Sequence, residues 1–133
     1  MKLTTKSEYS ILALIYIARH EKKDFVKADA ICAEYDIPRK YMEQLLLVLK
    51  QGRLLKAKRG ARGGYKLAAP PAKTNLAQII RLMDGAIAPT ESVSTYFFSH
   101  TPLEKEKKIM SAFKEIRDYV SNRLERLKLS DLI

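Results

Sequence analysis

The sequence predicts a mainly α-helical chain carrying one small β-hairpin, and three observations lead there. Apolar residues recur at helical spacing up to position 51 and again beyond 103; between 55 and 67 the period drops to two around a glycine-rich turn. Across that change of period, residues Arg39 to Lys66 hold nine Lys or Arg side chains and a single acid, Glu43. A short helix, a tight turn, a longer basic helix and then a basic hairpin have the layout of a winged helix-turn-helix, here followed by a long C-terminal helix.

The first helix is expected from Thr5, where Thr5-Lys6-Ser7-Glu8 reads as a capping box whose hydroxyl and carboxylate satisfy free backbone donors reciprocally. Its apolar face is Tyr9, Leu12, Ala13, Tyr16 and Ile17, and the polar run Glu21 to Asp24 ends it. A second helix over Ala28 to Tyr35 turns Ile31 and Cys32 inward, and Asp36-Ile37-Pro38 makes the turn. The third helix, Arg39 to Gln51, has Met42, Leu45, Leu46 and Leu49 on one face and Arg39, Lys40, Glu43, Gln44 and Lys50 on the other, with Gly52 as its stop.

In the hairpin, Leu55 and Ala57 alternate with Lys56 and Lys58 going out, and Tyr65 and Leu67 alternate with Lys66 coming back. The turn between them holds three of the five glycines, Gly60, Gly63 and Gly64, which implies positive φ angles or close backbone approach to another surface. After a linker from Ala68 to Lys73, Thr74 or Asn75 caps a helix over Leu76 to Met83 that stops at Asp84-Gly85, and Ala86 to His100 reads as a loop.

The last helix is expected to begin at Thr101-Pro102-Leu103-Glu104, a capping box with Pro at the first helical position, and to run on unbroken for about 40 Å. Ile109, Phe113, Ile116, Val120, Leu124 and Leu127 follow a mean step of 3.6 along it. A stripe of that length exceeds what one small domain covers, so it predicts a homodimer whose two copies meet through this helix across a two-fold axis. The organisation is thus a winged helix-turn-helix domain over 1–83, a loop over 84–102 and a dimerisation helix with its tail over 103–133.

Charge points to the partner. Residues 39–66 carry +8 of the formal +10, while residues 82–133 are neutral. Duplex DNA releases condensed counterions when Lys and Arg approach its phosphates, so such a stretch binds it with strong salt dependence. A membrane surface also attracts cations but has no use for a carboxylate among them, whereas in the major groove Glu43 accepts a hydrogen bond from cytosine N4. The hairpin then serves as a wing along the DNA backbone, with an Arg at its tip reaching a narrow minor groove.

Other chemistries are poorly supplied. One cysteine, Cys32, makes neither an internal disulfide nor a multi-thiolate metal or iron–sulfur site, which fits a reducing cytoplasm. His20 and His100 are too far apart in sequence to suggest a metal site, and nothing spaces a nucleophile, base and orienting group for catalysis, so no enzyme, metal or cofactor is expected. The longest apolar run, Ile11 to Ala18, falls far short of the roughly 18 residues of a membrane span. Cys32 is a candidate redox thiol, against the plainer reading of a small buried hydrophobe. Tyr96, Phe97, Phe98 and His100 are candidates for a small-molecule or protein effector, against packing onto the last helix.

Leu3-Thr4-Thr5-Lys6, Tyr41-Met42-Glu43-Gln44-Leu45 and Arg59-Gly60-Ala61-Arg62-Gly63-Gly64-Tyr65 together resemble the Rrf2 family of bacterial transcription regulators; Asp84-Gly85, Ala88-Pro89-Thr90-Glu91 and Leu129-Ser130-Asp131-Leu132 fit it too. The resemblance implies a dimeric winged-helix repressor or activator on a palindromic operator, with a sensor loop before a long C-terminal helix. It also implies that Glu43 and Gln44 read bases, that Arg59 enters the minor groove, and that Lys40 and Tyr41 stand beside them. The chain departs from the family pattern at three places. Cluster-binding members carry three cysteines in the loop, and here Ser92 matches the first with no Cys beyond position 32; Pro38 replaces a frequent capping Ser, and Asp36 a frequent Gly.

The DNA-binding candidates are therefore Arg39, Lys40, Tyr41, Glu43, Gln44, Lys50, Lys58, Arg59 and Arg62. Two rival readings stay open at this level: a nonspecific nucleic-acid-binding protein, and a protein-interaction adaptor with weak DNA binding.

Overall fold

The computed structural model describes residues 1–133. Its helices are α1 (Thr5–His20), α2 (Ala28–Tyr35), α3 (Arg39–Gln51), α4 (Leu76–Asp84) and α5 (Lys107–Arg126), with β1 (Leu55–Lys58) and β2 (Gly64–Leu67) antiparallel between α3 and α4. Mainly helical architecture with one small hairpin is thus the fold. No helix is long and apolar enough to cross a membrane.

α1 forms the hub, touching α2, α3, α4 and β2. That central position explains a difference from the expected face: Leu14 and Ala18 are buried along with Ala13 and Ile17, and even Ser7 and Ser10 are fully enclosed, while Tyr9, Leu12 and Tyr16 are only half-buried. A helix walled on several sides shows no clean apolar stripe. Its cap also lies one residue earlier than expected. Thr4 is the N-cap, its hydroxyl accepting from the Ser7 N–H, and the Thr4 hydroxyl and N–H both donate to the Asp84 carboxylate at the end of α4.

α2 and α3 occupy the expected spans. Asp36 takes the left-handed conformation (φ 53°) that Asp tolerates, so the turn forms without glycine, and α3 starts after Pro38 without a side-chain cap. At the other end of α3, Gly52 keeps an ordinary φ of −77°, and Arg53 is the left-handed residue (φ 64°). What a Cβ at Gly52 would meet is a side chain and not backbone, the end of Leu82 at 2.5 Å.

The hairpin is held to the body by a third extended segment that sequence periodicity did not disclose. Val26 and Tyr65 exchange both backbone hydrogen bonds, at 2.9 and 2.7 Å, and Glu21 accepts from the Leu67 N–H at 2.6 Å. Gly64 (φ 145°) makes this possible, because a Cβ would lie 2.4 Å from the Val26 carbonyl. The close approach expected at the glycine-rich turn is therefore to the chain's own backbone. α4 carries the capping box between Asn75 and Gln78.

The C-terminal third departs furthest from expectation. The Thr101–Glu104 capping box forms, but on a short 3-10 turn over Pro102–Lys105, and Glu106 then adopts an extended conformation (φ −109°, ψ 94°) before α5 starts. Thr101 is anchored sideways by its hydroxyl to Ser92, and the Glu106 N–H closes on Leu103, so the chain changes direction there. Twenty residues at 1.5 Å give α5 about 30 Å rather than 40. After α5 the chain returns to the body: Leu76 N–H donates to Leu127, Leu129 N–H donates to Thr74, and the Leu129 side chain is fully buried with Leu14, Ile17 and Leu46.

Candidate nucleic-acid interface

Between α3 and the hairpin lies an open cleft of about 620 Å³. Arg39, Glu43 and Lys50 reach it from one side of α3, Lys58 and Arg59 from the end of β1 and the turn, and Lys27 from the start of α2. These cations are exposed, as phosphate contacts require. Lys40 and Gln44 are also exposed on α3 but outside the cleft lining, one step around the helix, and Arg62 is exposed in the turn. Tyr41 is half-buried with its ring edge-on to Tyr9 at 5.7 Å, so it props α3 on α1.

Electrostatics organise the cleft wall. Arg39 donates from Nε to Glu43 at 2.9 Å and reaches Asp29 at 2.9 Å with a terminal nitrogen. The Glu43 carboxylate is thereby held against the helix surface, outward and away from the core. On the hairpin, Lys56 and Lys66 are cross-strand partners, a pairing that repels. Phe25 offsets it, lying 4.8 Å from the Lys66 ammonium and 5.7 Å from that of Lys58. Lys27 donates to the Ala61 carbonyl at 2.7 Å and ties the tip of the wing to α2.

Sequence reasoning missed Lys27, Asp29, Phe25 and Leu47 in this region. For the first three, the legible signal was the run Phe25-Val26-Lys27-Ala28-Asp29, apolar and charged, following a polar break. Leu47 lies off the Met42/Leu45/Leu46/Leu49 face, and its side chain stands exposed in the cleft wall.

The remaining candidates fall elsewhere. Cys32 is half-buried against the core; burial pushes its thiol up, Asp29 adds to this and Arg39 opposes it, so the balance favours the protonated form. Tyr96, Phe97 and Phe98 are exposed rather than packed onto α5. Tyr96 lies 4.6 Å from the Arg81 guanidinium, and Phe98 is edge-on to His100, which bonds Glu104. On α5, Val120 and Leu124 pack on Ala77, Ile80 and Ile87, whereas Ile109 and Ile116 are exposed and Phe113 is half-exposed; Leu127, just past the end of the helix, packs on the main core. Ile116 borders an apolar hollow of about 200 Å³ with Ile87, Ala88, Pro89 and Val120.

The loop does not fit an iron–sulfur cluster. Ser92 is buried, its oxygen accepts from the Thr101 hydroxyl at 2.8 Å, and it faces Met110; the loop holds no thiolate.

The comparisons agree on one kinship. The sequence profile described as "Rrf2: Iron-dependent Transcriptional regulator" matches residues 3–133. The HTH-type transcriptional regulator CymR of Bacillus subtilis is 31% identical over 132 residues, covering 99% of this chain and 89% of CymR. The solved structure of that protein, called the global cysteine regulator of B. subtilis, superposes with a TM-score of 0.80 at 29% identity, covering 99% of this chain and 95% of the other. IscR of T. potens superposes with a TM-score of 0.77 at 26% identity, over 99% and 85% of the respective chains.

Proposed function

This chain belongs to the Rrf2 family of DNA-binding transcription regulators, not to a family of enzymes, and from that premise we infer that it acts as a homodimeric repressor on a palindromic operator, without an iron–sulfur cluster. One observation carries the reading: α3 presents one outward carboxylate, Glu43, among Arg39, Lys50, Lys58 and Arg59 of the basic cleft, while the cleft's other carboxylate, Asp29, sits on α2 and pairs with Arg39. Cations alone would grip any phosphate backbone. A carboxylate on the exposed face of α3 weakens that grip and supplies an acceptor for a base edge, which favours sequence-specific binding over a nonspecific module.

In this reading α3 enters the major groove, Glu43 and Gln44 specify, and Lys40, Lys50, Lys58 and Arg62 position, while Arg59 follows the wing toward the minor groove. Residues 1–83 read DNA, and 103–133 pair the two copies through Ile109, Phe113 and Ile116, with Val120, Leu124 and Leu127 shared between that contact and the body. The loop 84–102 offers Tyr96, Phe97, Phe98 and His100 to an effector or partner. Two half-sites about one helical turn apart would be covered together, which occludes a promoter in the cytoplasm and makes repression the expected output.

Selection from random duplex DNA followed by footprinting tests this. An inverted repeat protected at nanomolar protein is expected; equal competition by unrelated DNA would return the chain to the nonspecific reading.

A further inference from the structure

Leu47 is the one large apolar side chain exposed on the cleft side of α3: 51% of it is accessible, in a wall otherwise built from Arg39, Glu43 and Lys50. It contributes nothing to the core, which Met42, Leu45, Leu46 and Leu49 already fill from the opposite face. A leucine left in water between charged neighbours keeps its apolar surface available for a partner. In the major groove the one apolar group on a base-pair edge is the thymine C5-methyl.

Resting on the DNA-binding reading above, we propose that Leu47 is a specificity-determining residue that packs on a thymine methyl in each half-site. Its place relative to Glu43 fixes where. Four residues along α3 are about 6 Å, or one to two base-pair steps of about 3.4 Å, so the thymine lies one or two base pairs from the pair that Glu43 reads. The contact is shape and dispersion only, so it discriminates the methyl itself rather than the hydrogen-bonding pattern of the pair.

The test exploits uracil, which keeps every hydrogen-bonding group of thymine and lacks the methyl. Once the operator has been selected, each thymine of a half-site is replaced in turn by deoxyuridine and binding is measured with the full chain and with Leu47→Ala, whose exposed position leaves the core intact. Losing one buried methyl should weaken the unaltered protein by about fourfold at one thymine per half-site, within two base pairs of the Glu43 contact. Leu47→Ala should bind the thymine and uracil operators equally at that position.

A flat uracil scan, a selected half-site without thymine at that distance, or a uracil effect that persists in Leu47→Ala each overturns the role given to Leu47 while leaving the operator itself standing. Failure to select any operator would instead remove the reading on which it rests, and the role of Leu47 with it.

Discussion

Arg39 and Glu43 are paired to each other across one turn of α3, with Nε and Oε1 2.9 Å apart, before any DNA arrives. The residue expected to hold phosphate and the residue expected to read a base thus constrain one another. Asp29 completes the arrangement by taking the other side of the guanidinium.

Replacing Glu43 with Ala should therefore do two things. It removes the acceptor for a base and frees the Nε side of Arg39 for the backbone while Asp29 keeps the other side, so preference at one base pair per half-site should fall by about 1 to 3 kcal/mol while binding to unrelated DNA strengthens. Lys58→Ala is the contrasting control: every sequence should weaken alike, and the salt slope should flatten by about one unit. Repeating the operator selection with both variants checks the pair, and an unchanged preference in Glu43→Ala would show that α3 is not the reading helix.

Two glycines separate backbone need from side-chain crowding. Gly64→Ala must push a Cβ against the Val26 carbonyl at a φ of 145°, and should cost about 1 to 3 kcal/mol by breaking the contact between wing and body. Gly52→Ala meets only the Leu82 side chain, which is partly exposed and able to move, so its cost should stay below about 1 kcal/mol. Urea denaturation of the two variants ranks them.

Asp84 should make stability depend on acid. Burial works against its charge, but hydrogen bonds from the Thr4 hydroxyl and N–H and the nearby Lys6 prevail, leaving its carboxyl below the ordinary carboxylate range. A depressed folded-state pKa contributes stability above the unfolded value of about 4, and the contribution is lost as pH falls toward the folded value. Asp84→Asn should accordingly be less stable than the unaltered protein at pH 7, with the gap closing below about pH 4. Thermal melts across that window would show it; a gap independent of pH would mean that the Thr4 contact does not depend on charge.

Ile116 tests the pairing of two copies. If the exposed face of α5 is covered by its mate, Ile116→Glu removes one buried side chain from each copy, a loss of about 3 kcal/mol or more and a dissociation constant raised roughly 150-fold. Sedimentation should show a monomer that keeps its helical content. A monomer already present in the unaltered protein at micromolar concentration would refute the pairing.

Much of the fold was legible because local and tertiary signals coincide in its N-terminal half. α2 and α3 begin and end where the polar breaks, the Asp36-Ile37-Pro38 turn and the leucine face place them, and the hairpin strands match their alternation. The errors arise where tertiary contacts decide. Thr4 rather than Thr5 caps α1 because Asp84, eighty residues away, holds it. The Thr101–Glu104 box is chemically correct, yet Ser92 and the extended Glu106 keep it off α5. The cleft was legible as a sum of charges but not as a geometry: periodicity placed Glu43 outward, whereas its pairing with Arg39 and the exposure of Leu47 beside it follow from rotamers and neighbours.

The burial of Leu129 among side chains of α1 and α3 bears on how the protein is made. Leu129 is far along the chain from the α1 side chains that share its core, so the contact that closes the interior is non-local and forms only after residue 129 has been made. A protease that clips the exposed end of α5 would consequently uncork the interior and expose it to aggregation.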